Sequence, residues 1–308
     1  METVIRRAHR RLSTGKLQRN IALFRHRVWH FERLSNLLES TVCVDIGASH
    51  FPHPKWWVFL QSPNSLWLAI DPVAESLNYV EGWPWRCRVE AIPVAVGISS
   101  GSRTFYITNL STGSSLRSPR PSLRNEYRFT SQDLSYFFPI SEVQIETVSL
   151  LSILERFGSH HRFVLKLDTQ GSEFEILESI SPLIEAQRIL AIECEVSLLH
   201  LPAYENSPRL WDVVNIMEGR GFELLQLDVM EKSTSSKLKA ERGIVSEADA
   251  VFVLRREFLS AVDLNVRLQM LGVYITYKLF DEARSLLRED KELSDFIRNS
   301  DVKGRFDF

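Results

Sequence analysis

This chain of 308 residues has only three cysteines and no long apolar run, and its positive and negative charges are almost equal in number. Its three cysteines, Cys43, Cys87 and Cys194, lie far apart and form no C-x-x-C pair, which argues against a disulfide framework or a zinc site. No apolar run approaches the roughly 20 residues of a membrane span, and the start does not read as a signal peptide. Because the net charge is −2, nothing suggests nucleic acid as a partner. We therefore expect a cytoplasmic protein.

Glycine is missing where a dinucleotide site would need it. Residues 41–49, TVCVDIGAS, form a β-type apolar run that breaks into a small-residue turn at Asp45. A dinucleotide motif, G-x-G-x-x-G, uses two more glycines to approach a pyrophosphate, but here HFP follows Ser49. This disfavours an NAD-type reductase. A ligand with a ribose and an adenine but no pyrophosphate fits better, and S-adenosylmethionine is the common one.

Two further apolar runs also end in a carboxylate. LWLAI, residues 66–70, leads into Asp71 and Pro72, and FVLKL, residues 163–167, leads into Asp168. In open α/β sheets the ligand crevice lies outside the carboxyl ends of the strands, and an acid after the second strand is well placed to bind ribose hydroxyls. The alternative is that Asp45 only caps a turn and Asp71 only opens a helix.

Charged residues within the later strands are candidates for catalysis. Lys166 and Asp168 stand two residues apart and so share a strand face, and Glu193 should project beside them from the next run, ILAIECE. Burying such charges is costly unless they are paired or functional. We predict Asp168 as general base, Glu193 as second candidate and Lys166 as the group that orients Asp168. A structural ion pair is the alternative, and His50, His53 and His200 are weaker candidates.

The ends of the chain predict helical extensions around one main domain, residues 41–256. Residues 1–40 are basic, with apolar residues at helical spacing from 21 to 38, which favours a helix packed on the domain, with peripheral contact to an anionic membrane as the alternative. Residues 257–308 predict a helical tail with a break at Gly272. Inside the domain we expect one strand over 88–96, an extra strand over 104–107 and a mobile loop over 111–122.

An ordered set of motifs resembles the FkbM-type S-adenosylmethionine-dependent methyltransferases. It spans roughly residues 42–254 and includes VDIGA (44–48), Asp71-Pro72, PVAVG (93–97), TVSL (147–150) and LKLDTQGSE (165–173). The resemblance implies a class I methyltransferase fold, a Rossmann-like doubly wound α/β sheet of seven strands, mostly parallel with the last strand antiparallel. It also implies methyl transfer, usually to oxygen. The segment 49–54 departs from the family, which often has a second glycine there.

The predicted activity is therefore O-methylation of a hydroxyl on a sugar, glycolipid or small natural product, with S-adenosyl-L-methionine as cofactor. A catalytically inactive binding module of the same fold is the alternative. The predicted partner is a small-molecule or saccharide acceptor. The residues predicted to contact the cofactor are Asp45, Gly47, Ala48, Ser49, Asp71, Pro72 and Ala95.

Overall fold

A computed structural model describes residues 34–48, 55–78, 80, 85–127, 129–232 and 243–300. The strands in these ranges are β1 (Thr41–Ile46), β2 (Leu66–Ile70), β3 (Arg88–Ile92), β4 (Ala95–Gly97), β5 (Gly101–Thr108), β6 (Pro139–Ser149), β7 (Arg162–Leu167), β8 (Ile189–Ser197), β9 (Phe222–Lys232) and β10 (Ile244–Leu254). The α-helices there are α1 (Trp57–Leu60), α2 (Leu123–Glu126), α3 (Ser131–Phe137), α4 (Leu150–Leu154), α5 (Glu173–Ser179), α6 (Ser181–Glu185), α7 (Leu210–Gly219), α8 (Leu264–Thr276), α9 (Phe280–Glu289) and α10 (Lys291–Asn299).

The main sheet has seven strands in the order β3-β2-β1-β7-β8-β10-β9. Strands β3, β2, β1, β7 and β8 run parallel to one another, and β10 runs antiparallel to both β8 and β9. Every residue of β1 and β2 is buried, as expected for parallel strands covered on both faces. The predicted fold class, a doubly wound and mostly parallel α/β sheet, is confirmed. The strand order reverses between β1 and β7, where such sheets place their ligands.

The predicted third strand is in fact two strands in different sheets. β3 ends at Ile92 and pairs with β2, whereas β4 begins at Ala95 and pairs with β6 in a smaller sheet of order β4-β6-β5. Pro93 stands between them, and a proline has no N–H to continue a ladder. The prediction of one continuous strand over 88–96 was therefore wrong, while the predicted extra strand over 104–107 is confirmed as part of β5.

The smaller sheet is fastened to the main one by an ion-pair clamp. Glu175 on α5 receives Arg103 of β5 on one carboxylate oxygen, at 2.5 Å, and Arg117 on the other, at 2.7 Å. The segment 111–122, which the sequence predicts as a mobile loop, is anchored by bridges from Ser115 to Tyr106 and from Pro119 to Tyr204. Those contacts bring this segment against the carboxyl edge of the main sheet.

The C-terminal helices share the core of the sheet. α8 buries most of its residues, and the hydrophobic core includes Leu268, Met270 and Leu271 together with strand residues. The helix runs through Gly272 without interruption, so the predicted break was wrong. A Cβ at this position would lie 3.2 Å from the Phe59 ring, closer than ordinary van der Waals contact. The predicted domain boundaries remain predictions.

Most of the predicted N-terminal extension lies outside the described residues. Within 34–40, Leu34 and Leu38 are fully buried in the same core. None of the helices in the described ranges is long and apolar enough to cross a membrane. The three cysteines are buried and unpaired with one another.

The contact at Gly272 generates the first prediction. Gly272→Val should lower the free energy of unfolding by about 1–3 kcal/mol, because overfilling a packed core forces its neighbours to move. Gly219→Ala, at the end of α7, is the control, since its Cβ would meet nothing within 4 Å. That control should change stability by less than about 1 kcal/mol. Urea denaturation measures both, and equal stability of the two variants would contradict the packing argument.

Candidate active site

The predicted carboxylates meet at the carboxyl edge of the main sheet. Asp45 lies in β1, Asp71 follows β2 and Asp168 follows β7. Strand register pairs Asp45 with Lys166, and Lys166 with Glu193 on β8. Because paired residues of neighbouring strands share a face, these three side chains form one row across the sheet.

The turn after β1 is held tightly between its two neighbours. Gly47 has a φ of +83°, and a Cβ there would lie 1.9 Å from the backbone oxygen of Asp168. The N–H groups of Gly47 and Ala48 both donate to the carbonyl of Ile70, at 2.9 and 3.1 Å. These two predicted cofactor residues therefore set the shape of the turn, and their amides tie it to β2. Ser49 lies outside the described residues.

Asp71 closes its own turn and also lines the edge. Its Oδ1 accepts a hydrogen bond from the Val73 N–H at 2.8 Å, just after Pro72, so the structural alternative is part of its role. Burial raises the pKa of Asp71 to about 6, and the nearby carboxylates of Asp45 and Asp168 act in the same direction. The carboxyl group therefore titrates close to neutral pH.

Lys166 and Asp168 form the predicted pair. The Nζ of Lys166 lies 3.1 Å from Oδ2 of Asp168 and 3.7 Å from Oδ1 of Asp45. Burial alone would raise the pKa of Asp168, but the Lys166 ammonium and hydrogen bonds from Gln170 outweigh it and lower that pKa. The Asp168 side chain is 38% exposed and that of Lys166 only 16%. Asp168 is thus an ionised and partly exposed carboxylate that Lys166 and Gln170 hold in place.

Gln170 connects Asp168 to Glu195 and Tyr204. It was not among the residues predicted for the site. Its Nε2 donates to Asp168 Oδ1 at 2.9 Å and to Glu195 Oε2 at 2.6 Å. Its side-chain oxygen accepts from the Tyr204 hydroxyl at 3.1 Å, and its backbone oxygen accepts from Ser115 at 2.6 Å. Gln170 is buried with a φ of +58°. The only signal in the sequence is its place in the TQG turn.

Glu195 lies beside Asp168 and differs from it in charge. Burial raises the pKa of Glu195 well above its ordinary value, and the carboxylates of Glu247 and Asp168 add to the rise. A hydrogen bond between the two carboxyl groups stabilises protonated Glu195 and ionised Asp168. A single proton, held on Glu195, is therefore favoured over two charged carboxylates side by side.

Glu173 closes the loop that carries Asp168 and Gln170. Its carboxylate accepts from the Thr169 N–H at 2.7 Å, the Thr169 hydroxyl at 3.0 Å and the Gly171 N–H at 2.9 Å. Burial raises the pKa of Glu173 to about 7, although these donors oppose the rise. The loop is thereby fixed by a side chain within its own motif.

Glu193 lies in the same row as Asp45 and Lys166, but its ion pair is with Lys55. Its carboxylate lies 2.8 Å from Nζ of Lys55, which also reaches Asp228 at 2.9 Å. The Glu193 side chain is only 2% exposed, and Tyr277 is a further hydrogen-bonding partner of its carboxylate. Lys55 was not predicted, because its partner lies 138 residues away in the chain.

The remaining predicted residues are more remote from this cluster. Ala95 lies in β4 and packs in a small core with Phe105 and Leu116. His200 is exposed, and His50 and His53 fall outside the described residues. Among the residues that the structure describes, no group of three or more His, Cys, Asp or Glu side chains is arranged to hold a metal ion.

Comparison with known proteins identifies the family. The profile described as "Methyltransferase FkbM domain" matches residues 45–224, more than half of the 308 residues. The chain belongs to the FkbM methyltransferase family. The matched FkbM domain contains Asp45, Asp71, Lys166, Asp168 and Glu193.

The comparison with curated proteins found no match. Among solved structures, a protein from Pyrococcus horikoshii assigned as an RNA methyltransferase is similar, with 11% sequence identity and a TM-score of 0.29. The alignment covers 73% of this chain and 80% of the other.

The pKa of Glu173 generates a prediction for the stability of the FkbM domain. Its folded pKa is about 7 and its ordinary value 4.5, so between these pH values the folded chain keeps a proton that the unfolded chain has lost. Its stabilising contribution is complete below the lower value and is lost as pH rises through the upper one. The loss should reach up to about 3 kcal/mol. Urea denaturation from pH 4.5 to 7.5 should show a shallower fall for Glu173→Gln than for the wild type.

The control for this experiment is Glu185→Gln. Glu185 is exposed on α6, and its replacement should leave the wild-type pH profile unchanged. If Glu173→Gln and Glu185→Gln follow the same profile, Glu173 is not the titrating group.

Proposed function

We propose that this FkbM domain transfers the methyl group of S-adenosylmethionine to a hydroxyl oxygen of a saccharide, glycolipid or small natural product. One observation carries the proposal. Asp168 is an ionised and partly exposed carboxylate, held by Lys166 and Gln170 at the edge where Asp45, Asp71 and the Gly47 turn meet.

The residues at this edge fit the cofactor. S-Adenosylmethionine supplies, when bound, a methyl group on a positively charged sulfur. Asp71 follows the second strand, where an acid can accept hydrogen bonds from ribose hydroxyls. The Gly47 turn, where a Cβ would collide with the Asp168 backbone, keeps the crevice floor free of a side chain. The neighbouring carboxylates favour a cation such as a sulfonium.

Asp168 is suited to act on the acceptor. An ionised carboxylate can accept a hydrogen bond from the acceptor hydroxyl and take its proton as the oxygen–methyl bond forms, a contribution of about 10²–10⁴-fold. Its lowered pKa makes it a weak base, so positioning of the hydroxyl supplies the larger part, up to roughly 7–11 kcal/mol for well-oriented reactants. Lys166 and Gln170 fix both oxygens of Asp168 for this task.

Glu193 is less suited to be the base. It is almost completely covered and is ion-paired to Lys55. We assign it to holding Lys55 at the wall of the crevice, and we place Glu195 beside Asp168 as its protonated partner.

The rest of the proposal concerns partners and location. An acceptor linked to a lipid would suit a basic extension over residues 1–40 that contacts an anionic membrane. The net charge of −2 gives no reason to include nucleic acid among the acceptors. A cytoplasmic location completes this proposal.

Asp71 should make cofactor affinity depend on pH. Since its pKa is about 6 and ribose hydroxyls donate best to the ionised form, S-adenosylhomocysteine should bind more tightly as pH rises through that value. Below it, affinity should fall by up to about tenfold per pH unit. Asp71→Asn keeps an acceptor for the Val73 N–H but loses the charge, so calorimetry should show affinity roughly 10- to 150-fold weaker at pH 8 and nearly independent of pH. Glu75→Gln, exposed in the next turn, is the control.

Wild-type affinity for Asp71→Asn at pH 8 would remove Asp71 from the cofactor site. An equal loss of affinity in Glu75→Gln would show that removing any nearby negative charge weakens binding.

Asp168 carries the prediction for catalysis. Asp168→Asn keeps its shape and one acceptor oxygen but cannot take a proton, so turnover should fall by about 10²–10⁴-fold while S-adenosylhomocysteine affinity changes little. The measurement is transfer of radiolabelled methyl groups to a panel of saccharides, lipid-linked saccharides and polyhydroxylated natural products. Glu142→Gln, exposed on β6, is the control and should keep wild-type turnover.

The outcomes distinguish the alternatives. Near-normal turnover in a folded Asp168→Asn protein would exclude Asp168 as the base. Micromolar binding of S-adenosylhomocysteine by the wild type, without transfer to any acceptor or to cell extract, would favour the inactive binding module. No binding at all would refute the proposed cofactor.

A further inference from the structure

The opposite edge of the main sheet, where the parallel strands begin, collects positive charge. Arg88 is the first residue of β3, Arg162 is the first residue of β7, and Arg188 immediately precedes β8. His160 and His161 stand just before β7, with their rings 4.1 Å apart. Because parallel strands begin at one edge of a sheet, these five side chains lie in one region.

Two of the arginines have a structural role there. Arg162 donates to the Ser159 carbonyl at 2.8 Å, and Arg188 donates to the carbonyls of Phe157 and Gly158 at 3.1 and 2.8 Å. They thereby hold the turn that leads into β7. Their hydrogen bonds go to neutral carbonyl oxygens, and the carboxylate of Asp263 offsets part of the charge of Arg162.

Arg88 and His161 line a cavity. The cavity has a volume of about 350 Å³, and its walls are formed by Glu39, Ser40, Pro63, Asn64, Arg88 and His161. Four of these side chains can donate hydrogen bonds: a guanidinium, an imidazole, an amide and a hydroxyl. Glu39, an exposed residue, is the one carboxylate in the wall and offsets one positive charge. The cavity is open to solvent, polar and rich in hydrogen-bond donors.

The charges at this edge disfavour one another. Burial lowers the pKa of His161, and His160, Arg188 and Arg88 lower it further. Arg88 has no ion pair with any residue in the described ranges. An anion in the cavity would relieve this repulsion and would accept hydrogen bonds from the Arg88 guanidinium, which matches a phosphate in shape.

We propose that this cavity is a second ligand site, which binds the phosphate group of a phosphorylated ligand. It is separate from the candidate active site. β1 and β7 are each six residues long, and at about 3.3 Å per residue the two edges lie roughly 20 Å apart. The phosphate belongs either to a soluble phosphate ester or to the headgroup of a phospholipid, and the proposal does not depend on the methyl-transfer reaction.

The test measures phosphate binding to the full chain. Calorimetry with inorganic phosphate and with glycerol phosphate, at constant ionic strength, should show saturable binding. Arg88→Gln and His161→Gln should each weaken it roughly tenfold or more, since each removes one charge-assisted hydrogen bond. The control is Arg124→Gln, an exposed arginine that lies over the Phe138 ring and should bind phosphate as the wild type does. Sedimentation with vesicles of phosphatidylcholine, with and without phosphatidic acid, tests the headgroup.

Each result decides for or against the site. Binding of the soluble esters, or of phosphatidic acid vesicles, that is lost in Arg88→Gln but kept in Arg124→Gln supports the site and identifies the source of the phosphate. Absence of binding, or equal weakening in all three variants, would overturn it. Arg88 is exposed, so the Arg88→Gln protein should fold. If the His161→Gln protein does not fold, the result for Arg88→Gln alone decides whether the site exists. S-Adenosylhomocysteine affinity should stay unchanged in Arg88→Gln, which separates this site from the candidate active site.

Discussion

The hydrogen bonds of Gln170 are the constraint on which the candidate site depends. One buried amide group holds the two carboxyl groups of Asp168 and Glu195 on its nitrogen and the Tyr204 hydroxyl on its oxygen. The left-handed backbone at Gln170 also turns its carbonyl toward Ser115. A residue with φ above zero is uncommon outside glycine. The chain around residues 115, 170, 195 and 204 is thereby held together, and the strain at Gln170 is offset by the bonds that it makes.

The loop after β1 is fixed by a close backbone contact, and the loop after β7 is fixed by hydrogen bonds to a side chain. Gly47 allows the first loop to lie against the backbone of the second, while Glu173 satisfies three donors within the second loop. Asp168 is therefore held in place on both sides, with its protonated partner Glu195 next to it. A site with this degree of order favours catalysis by positioning, because little reorganisation is left for the reaction itself.

The sequence predicted the main sheet and the meeting of its acids at one edge because those features are local. β1, β2 and β7 are short apolar runs that end in an acid, and the edge of a parallel sheet brings those acids together. Features that rest on distant partners were not predictable. The turn at Pro93 does not reveal that β4 joins another sheet, and Gly272 is typical of a helix end until the Phe59 ring is seen beside it. The ion pair that makes Glu193 less suited as a base comes from Lys55, which is distant in sequence.

The clamp of Glu175 between Arg103 and Arg117 has a consequence for how such a chain can diversify. The smaller sheet is inserted between β3 and β7 in the chain and is fastened to α5 by charges. Its outer surface, where Ile140 and Val143 are exposed, is free of that constraint. Substitutions, insertions and changes of strand length can accumulate on that surface during evolution while the clamp and the strand ends of the main sheet stay the same.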